Sequence, residues 1–280
     1  MPSPEATRLP FRHRLFAAYM RTPDHPCKLR FARGLRRLLS LRRVIAGTRQ
    51  GLMELDPDDL VQIEILRHGA YETTTCKLFE SLVREGDVVV DVGANVGQYS
   101  LLAARLCGAA GKVLALEPNP AIFQALRRNL ELNRSPQVLP LLMAAGARDA
   151  PVAMLEPPPT QLGTSKMAAV ATGDYWSGGY RLATILHEFG LTRCDVVKID
   201  VEGHEDEVLE GLLREGTPRP RHLVFEFVPQ AFAYGGRADR MLAWLTEAGY
   251  VLKTVDGRLY QPGMELPDGN LWASLEGGKA

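Results

Sequence analysis

Between residues 88 and 227, short runs of consecutive apolar residues alternate with longer segments in which apolar residues recur every three or four positions. The short runs are typical of strands buried on both faces, and the longer segments are typical of helices that cover such strands. This alternation predicts βαβ units and a mostly parallel sheet. The predicted strands span 88–92, 112–117, 138–144, 195–200 and 222–227, and the predicted helices span 98–107, 120–133, 182–189 and 203–213.

The chain downstream of residue 227 follows a different order. A predicted helix near 237–248 precedes two apolar runs, "YVLKTV" (250–255) and "NLWASL" (270–275), with no helical pattern between them. Two such strands in succession favour an antiparallel pair at one edge of the sheet. We therefore expect an α/β, Rossmann-like fold of about seven strands, with its ligand crevice at the carboxyl ends of the parallel strands.

Two further helices and one loop are predicted from local signals. Asp58 or Asp59 can cap a short helix whose apolar face includes Leu60, Ile63 and Leu66. A second helix spans about 75–84 and stops before Gly86. The segment "EPPPTQLGTS" (156–165) is predicted to be a flexible loop, because three consecutive prolines permit neither a helix nor an inner strand.

Charge divides the chain into two parts, although its formal total is zero. Residues 1–50 contain twelve Lys and Arg against two acidic residues, so the remainder (51–280) carries the excess of acid. We expect 1–50 to be a basic N-terminal arm or helical cap and 51–280 to be the main domain. The basic part is compatible with a transit peptide, a membrane-surface helix, a nucleic-acid arm or helices lying against an acidic body.

Two features of the sequence argue against the membrane-surface and nucleic-acid alternatives for the basic part. Pro23, Pro26 and Gly34 are predicted to interrupt any long amphipathic helix, which disfavours the membrane surface. Aromatic residues are not interleaved with the arginines, so no nucleic-acid partner is expected.

The cysteines and the apolar runs bear on the compartment. Four cysteines stand far apart with no C-x-x-C pair, which is typical of reduced thiols in a cytoplasmic protein. No stretch approaches 18 consecutive apolar residues and no signal peptide is recognised, so no membrane span is expected. Nothing in the pattern specifies an oligomeric state.

The stretch "VVVDVGANVGQYSLLAA" (88–104) places a glycine-rich turn between a buried strand and a helix. It is not the dinucleotide fingerprint, because Asn95 and Gln98 stand where that pattern needs glycine, and the chain contains no Gly-Lys-Ser/Thr phosphate loop. Gly93 and Gly97 allow the backbone to approach a ligand closely. Asp91 supplies an anionic acceptor that suits a ligand with an ammonium group.

Glu117 closes the second predicted strand, 20 residues after Gly97. An acid at this place in such a crevice accepts hydrogen bonds from ribose hydroxyls, although a surface glutamate before a turn is the alternative. A ribose and an amino acid without phosphates together describe S-adenosylmethionine. We therefore expect S-adenosylmethionine as the cofactor.

A second group of charged residues follows the predicted strand 195–200. The side-chain repeat of two puts Lys198, Asp200 and Glu202 on one side of that strand. Glu226 ends the next strand, so Asp200 and Glu226 should converge as a general base or a Mg²⁺ site. An internal ion pair of Lys198 with Asp200 is the alternative.

His204 stands at the start of the predicted helix 203–213. Its reference pKa is near neutrality, so it is a candidate to accept a proton from a substrate hydroxyl, and a merely solvated side chain is the alternative. The three acids that follow it are explained by the helix macrodipole and are not counted as catalytic.

These residues resemble a known family. "GAYE", "GDVVVDVGANVGQYSLLAA", "LEPNP" and "VVKIDVEGHEDEVLEGL" are similar to the FkbM family of S-adenosylmethionine-dependent methyltransferases, over about residues 51–274. The resemblance implies a class I methyltransferase fold and O-methylation of a hydroxyl on a sugar or natural product, with a small-molecule acceptor. It implies that the methionine end is lined by Asp91, Gly93, Asn95 and Gly97, the ribose by Glu117, the cofactor pocket wall by Tyr71 and Glu72, and the acceptor side by Asp200, Glu202, His204 and Glu226.

The expected mechanism is direct methyl transfer to an aligned acceptor oxygen. His204 is the first candidate for the base, with Asp200 or Glu226 orienting it or binding Mg²⁺, and with Lys198 beside them. N-methylation is the near alternative. A nicotinamide-dependent oxidoreductase and a non-catalytic binding module on the same fold are the alternatives from other classes.

Overall fold

The computed structural model describes residues 9–156, 166–167, 173–213, 216–228 and 237–275. Its helices are α1 (Phe11–Met20), α2 (Lys28–Leu38), α3 (Leu60–His68), α4 (Thr73–Leu82), α5 (Gln98–Cys107), α6 (Pro120–Asn133), α7 (Leu182–Glu188), α8 (Glu205–Leu212) and α9 (Arg237–Glu247). Its strands are β1 (Val44–Gly47), β2 (Leu52–Leu55), β3 (Val88–Val92), β4 (Lys112–Leu116), β5 (Val138–Leu141), β6 (Ala144–Ala145), β7 (Ala150–Leu155), β8 (Lys166–Met167), β9 (Tyr175–Tyr180), β10 (Val196–Ile199), β11 (His222–Glu226), β12 (Tyr250–Thr254) and β13 (Asn270–Leu275).

Seven of these strands form the central sheet, in the order β12-β13-β11-β10-β3-β4-β5. The five strands from β11 to β5 are parallel, and β13 runs antiparallel to both of its neighbours. The order reverses between β10 and β3, which is where an open α/β sheet forms its ligand crevice. The predicted seven-stranded Rossmann-like sheet with an antiparallel edge pair is therefore confirmed.

Helices cover both faces of the sheet. In β3, Val89 faces a core that includes Phe79 of α4 and Leu102 of α5. Val90 of the same strand faces the other core, which includes Leu209 of α8. Successive strand residues point to opposite faces, so a strand between two helical layers must be apolar at every position, as β3 nearly is. This double coverage leaves the carboxyl edge of the parallel strands as the place for a site.

The basic N-terminal part forms structure that packs on the sheet domain. Helix α1 buries Phe16 and Met20, and the hairpin β1–β2 lies beside α6. Two amides of α6 hold that hairpin: Asn129 Oδ1 accepts from Glu54 N (2.7 Å) and Asn133 Oδ1 accepts from Leu52 N (2.9 Å). The boundary expected at residue 50 thus falls in the turn of a hairpin.

Several local predictions can be compared with the structure. Asp59 caps α3 by accepting from Gln62 N at 2.9 Å, as predicted, and Ile63 and Leu66 are buried. Leu60 is half exposed, because the first residue of α3 lies beside the groove between α1 and α2 and is not covered. The prediction that Gly34 interrupts a helix is wrong, since α2 runs through it, and one interior glycine costs a helix only about 1 kcal/mol.

A smaller sheet was not predicted from the sequence. Its four strands follow the order β6-β9-β7-β8, and β6 takes up the end of the predicted strand 138–144. The flexible loop predicted for 156–165 lies, except for its first residue, outside the described residues. All four cysteines are free and three of them are buried. None of the described helices is long and apolar enough to cross a membrane.

Candidate active site

The turn between β3 and α5 is held against the segment that follows β10. Gly93 has a φ of +78°, and a Cβ at this residue would lie 1.8 Å from the carbonyl oxygen of Asp200. The close approach that requires glycine at this position is therefore an approach to the protein's own backbone. Gly97 also has a positive φ of +94° and begins α5. The turn and the segment that follows β10 consequently pack as one unit.

Glu117 fixes the conformation of this turn. Its buried carboxylate accepts a hydrogen bond from Asn95 N at 3.0 Å and another from Asn119 N at 2.8 Å. Burial raises the pKa of Glu117 to about 7, against the lowering effect of these two amide donors. The alternative of a surface glutamate is excluded by this burial. Glu117 holds the backbone of the turn at Asn95.

Asn95 carries an unsatisfied acceptor. Its φ is +50°, a conformation that asparagine tolerates better than most residues. Its Oδ1 atom is buried and accepts no hydrogen bond from any residue in the described part of the chain. A buried acceptor without a donor costs about 1–3 kcal/mol, so a ligand that donates a hydrogen bond to this atom would remove that cost.

Asp91 lies inside the sheet. It is 1% exposed, and its Oδ2 accepts from Ser100 Oγ at 2.5 Å. Burial raises its pKa to about 6, in spite of the Ser100 hydroxyl. Asp91 is not among the residues that line the cavities described below. Its carboxylate therefore acts on the turn indirectly, through its hydrogen bond with Ser100 of α5.

Lys198 is the buried cation of the site. Its Nζ donates to Asp200 Oδ2 (3.2 Å) and to Asn270 Oδ1 (3.1 Å). The same Nζ lies 4.0 Å from Glu72 Oε2 and 5.2 Å from the centre of the Tyr99 ring. Burial opposes its charge, but Asp200 and Glu72 outweigh burial and raise its pKa. The ion pair of Lys198 with Asp200, the alternative given by the sequence, is present.

Glu72 is joined to the opposite end of the chain. Its Oε1 accepts from Asn270 Nδ2 at 2.9 Å and its Oε2 accepts from Tyr99 Oη at 2.8 Å. Burial raises the pKa of Glu72, and Lys198 acts against that rise. Neither Tyr99 nor Asn270 was a candidate from the sequence. The only available signal for Asn270 was a polar residue at the start of an apolar edge strand.

A cavity of about 100 Å³ opens between the turn and these acids. Its lining includes two aromatic residues, the orphan asparagine and four carboxylates: Tyr71, Tyr99, Asn95, Glu72, Asp200, Glu202 and Glu226. The predicted convergence of Asp200 and Glu226 on one place is thus observed. Burial and then Asp200 raise the pKa of Glu226 to about 8. The half-buried Glu226 carboxylate accepts no hydrogen bond from a described residue, whereas the buried Asp91 and Glu117 do.

A smaller cavity of about 30 Å³ lies on the other side of Gly93 and Asp200, which line both cavities. Glu117 and the shared Asp200 are the acids of this second lining, and Leu116, Met143 and Met154 supply apolar surface. The structure therefore has a space with four acids on one side of the turn and a more apolar space with two acids on the other.

His204 lies outside both cavities as the described residues line them. Its Nδ1 is 3.4 Å from Glu207 Oε1, one turn along α8, and Glu207 also accepts from Arg237 at 3.1 Å. The neighbouring Glu205 is buried and accepts from Val201 N at 3.0 Å. The acids of this first turn thus have structural roles, as the sequence suggested.

The predicted Mg²⁺ site has no support in the geometry. Within the described ranges, no group of three or more His, Cys, Asp or Glu side chains is arranged so that it could hold a metal ion. Asp200 is engaged by Lys198, and two carboxylates alone are a poor ligand set for a hard divalent cation.

The strand order and the acid-lined crevice beside the first core strand define a Rossmann-like methyltransferase domain. Residues 91–252 match the Methyltransferase FkbM domain, which is more than half of the chain. The chain therefore belongs to the FkbM methyltransferase family, as the sequence motifs predicted.

Three curated relatives are similar over part of their length. The hexuronic acid methyltransferase AglP of Haloferax volcanii is 33% identical, over 50% of this chain and 56% of that protein. Methyltransferase sdnD of Sordaria araneosa is 32% identical, over 49% and 65%. The 31-O-demethyl-FK506 methyltransferase FkbM of Streptomyces tacrolimicus is 29% identical, over 51% and 66%. The chain thus spans between about half and two thirds of the length of these relatives.

Solved structures are more distant. Fibrillarin of Aeropyrum pernix with natively bound S-adenosyl-L-methionine is 12% identical, with a TM-score of 0.44 over 72% of this chain and 76% of that one. A SAM-dependent O-methyltransferase of Thermotoga maritima is 16% identical, with a TM-score of 0.44 over 86% and 81%. At these values neither structure adds to the conclusion drawn from the family.

Proposed function

We propose that this protein uses S-adenosylmethionine to methylate a hydroxyl group of a sugar or another natural-product small molecule. The observation that carries the proposal is the acid-lined cavity beside the 93–97 turn, at the carboxyl edge of the parallel strands. Membership of the FkbM family supports the type of reaction. The names of two relatives, a hexuronic acid methyltransferase and a 31-O-demethyl-FK506 methyltransferase, support an oxygen acceptor on such molecules.

The residues around Gly93 fit the polarity of S-adenosylmethionine. Its ammonium group is a hydrogen-bond donor, and Asn95 Oδ1 accepts no hydrogen bond from a described residue. The positive charges of the cofactor suit the carboxylates of the cavity. Each oxygen of Glu117 accepts one backbone N–H and keeps a second lone pair for a ribose hydroxyl.

The residues proposed to hold the cofactor have three kinds of role. Contact with the cofactor is proposed for Gly93, Asn95, Gly97 and Glu117, with Tyr71 and Glu72 as walls. Asp91 is proposed as a positioning residue, since its carboxylate is taken up by Ser100 and lines neither cavity.

The cofactor, when bound, supplies an electrophilic methyl carbon, so the protein has mainly to align the acceptor oxygen and receive its proton. Glu226 is suited to receive this proton, because it lines the cavity, accepts no hydrogen bond from a described residue, and has a pKa of about 8, near the working range of a general base. His204, the first candidate from the sequence, would have to leave Glu207 to do so. Asp200 and Glu202 are proposed to face the acceptor, and Lys198 to hold Asp200 in place.

The proposal is tested first by calorimetry of the purified protein with S-adenosylmethionine, S-adenosylhomocysteine and reduced nicotinamide dinucleotide. Binding of the first two compounds and not of the third is expected. Asn95→Ala should weaken this binding, whereas Asn133→Ala, which removes an amide that bonds the β1–β2 hairpin and the backbone of α6 away from the crevice, should leave it unchanged. Binding of the nicotinamide instead would point to the oxidoreductase alternative.

A second experiment identifies the acceptor. The protein is incubated with methyl-labelled cofactor and sugar or natural-product extracts, with and without a chelator, and the labelled product is analysed by NMR. A label on oxygen is expected. A label on nitrogen would replace the proposal with N-methylation, and tight binding of cofactor without any labelled product would favour the binding module.

A further inference from the structure

Helix α2 is strongly basic. Its eleven residues include one Lys and four Arg and no acid. Lys28 and Arg36 are paired with Asp24 (3.2 Å) and Asp58 (2.6 Å). The side chains of Arg30, Arg33 and Arg37 are exposed and have no hydrogen bond or ion pair with any residue in the described ranges. Three positive charges therefore face solvent together.

The same helix exposes three large apolar side chains, of which Leu29 is the least exposed at 44%. Phe31 is 63% exposed and Leu38 is 80% exposed. Residues seven apart lie on one side of a helix, so Phe31 and Leu38 form a single apolar stripe. The three free arginines lie three, four and seven residues apart and form a second stripe beside it. The buried Lys28 and Ala32 mark the side that packs on the protein.

The combination of the two stripes identifies the occupant. Unpaired arginines attract any polyanion, but a nucleic-acid backbone offers nothing apolar to Phe31 and Leu38. An anionic phospholipid surface offers phosphates to the arginines and an acyl boundary to the apolar stripe. Neither stripe alone gives stable attachment, because membrane anchoring through such weak contributions requires two signals.

We propose that α2 docks this protein on anionic phospholipid membranes, with Phe31 and Leu38 inserted at the acyl boundary and Arg30, Arg33 and Arg37 on the lipid phosphates. This surface is formed by residues 28–38 and shares no residue with the crevice at the carboxyl edge of the sheet. Attachment is peripheral and depends on ionic strength, because its electrostatic part is screened by salt.

The test is co-sedimentation of the full chain with vesicles of phosphatidylglycerol and phosphatidylcholine, and with vesicles of phosphatidylcholine alone. Binding to the anionic vesicles only, weakened by added salt, is expected. The triple variant Arg30→Gln, Arg33→Gln, Arg37→Gln should lower the partition coefficient on the order of 100-fold, at about fivefold per arginine. Phe31→Ser with Leu38→Ser should lower it roughly tenfold.

A matched control separates this surface from a general effect of charge. Arg127→Gln, Arg134→Gln and Arg148→Gln remove the same charge from exposed positions elsewhere, and should leave the partition coefficient unchanged. All the substitutions are at exposed positions, and unchanged thermal unfolding confirms that each variant is folded.

Several outcomes would overturn the proposal. Equal binding to both kinds of vesicle, or an equal loss in the control variant, would show that α2 does not recognise the anionic surface. Binding of RNA or DNA that depends on the arginines but not on Phe31 and Leu38 would assign α2 to nucleic acid. Self-association in sedimentation velocity that is abolished by Phe31→Ser with Leu38→Ser would assign the apolar stripe to a second copy of the chain.

Discussion

The crevice is formed by two segments, the 93–97 turn and the 200–204 segment. Both are held in the same way by a buried glutamate, but the polar group that lies beside each segment differs. Glu117 holds the 93–97 turn and Glu205 holds the 200–204 segment, each by accepting backbone N–H groups, and burial raises the pKa of both to about 7. Beside the first segment, the unsatisfied atom is the neutral Asn95 Oδ1. Beside the second, the group that accepts no hydrogen bond from a described residue is the half-buried carboxylate of Glu226.

This difference suggests a division of labour. A neutral acceptor on a rigid turn can bind a donor without exchanging a proton. A carboxyl group that accepts no hydrogen bond, and whose pKa is near neutrality, can gain or lose one. The first segment is thus suited to binding and the second to proton transfer, and each prediction below tests one part of this contrast.

The largest effect is expected at Lys198, which lies between Asp200 of the second segment and Glu72. Lys198→Met leaves the buried Glu72 and the partly exposed Asp200 without their cation, and should reduce the free energy of unfolding by about 3–5 kcal/mol, measured by urea denaturation. The exposed Lys112→Met is the control and should change it by less than about 0.5 kcal/mol. Adding Glu72→Gln to Lys198→Met should restore part of the loss, and the absence of any such coupling would contradict the assigned ion pair.

Glu226→Gln tests proton transfer in the second segment. It should lower kcat by about 10²–10⁴-fold while leaving cofactor affinity nearly unchanged. Because the base acts in its deprotonated form, wild-type kcat should rise as the pH increases through about 8, and the variant should lose this rise. His204→Ala distinguishes the two candidates: a larger loss of kcat there than in Glu226→Gln would return the role to the histidine.

Gly93→Ala tests the close packing of the two segments. Gly86 has the same φ of +78° but nothing within 4 Å of an added Cβ, so Gly86→Ala measures the cost of the backbone conformation alone. We expect about 1–2 kcal/mol of destabilisation for Gly86→Ala, and roughly 2 kcal/mol more for Gly93→Ala, whose Cβ would meet Asp200 O. Equal losses in chemical denaturation would show that the segments separate easily.

The smallest effects are expected for Glu117→Gln, which loses one of its two accepted hydrogen bonds at about 1–3 kcal/mol, and for Glu205→Gln, whose single amide oxygen can keep both bonds that Oε1 accepts. Both native carboxyl groups have a raised pKa, so they bind more protons in the folded state between about pH 4.5 and 7, and wild-type stability should fall as the pH rises through that window. Each variant should show a shallower fall in urea denaturation at pH 5, 6 and 7. Only Glu117→Gln should also weaken cofactor binding, and an equal weakening in Glu205→Gln would remove the contrast between the segments.

The sheet was predictable because its signals are local. A strand such as β3, covered on both faces, is apolar at nearly every position, and Asn119 and Asp59 cap their helices from within one turn. The smaller sheet was missed because its strands lack this signal: β9 contains Gly178 and Gly179, and the pairing of β6 with β9 joins residues more than thirty positions apart.

The candidate site was predictable in its residues more than in its contacts. Position at a strand end was enough to bring Asp200 and Glu226 together, because parallel strands end at one edge. Glu207, the partner of His204, also pairs with Arg237, which belongs to a helix about thirty residues downstream. No spacing rule relates such side chains, since only the packing of α8 on α9 brings them together.

The hydrogen bond between Glu72 and Asn270 spans 198 residues of chain. During synthesis on a ribosome, Glu72 would emerge long before Asn270, which supplies one of its two hydrogen-bond donors. Until the edge strand β13 inserts between its two neighbours, Glu72 would therefore lack the amide donor that Asn270 supplies beside the crevice. Completion of the crevice is thus tied to the final step of sheet assembly, which makes any capacity to bind a ligand a late event in biogenesis.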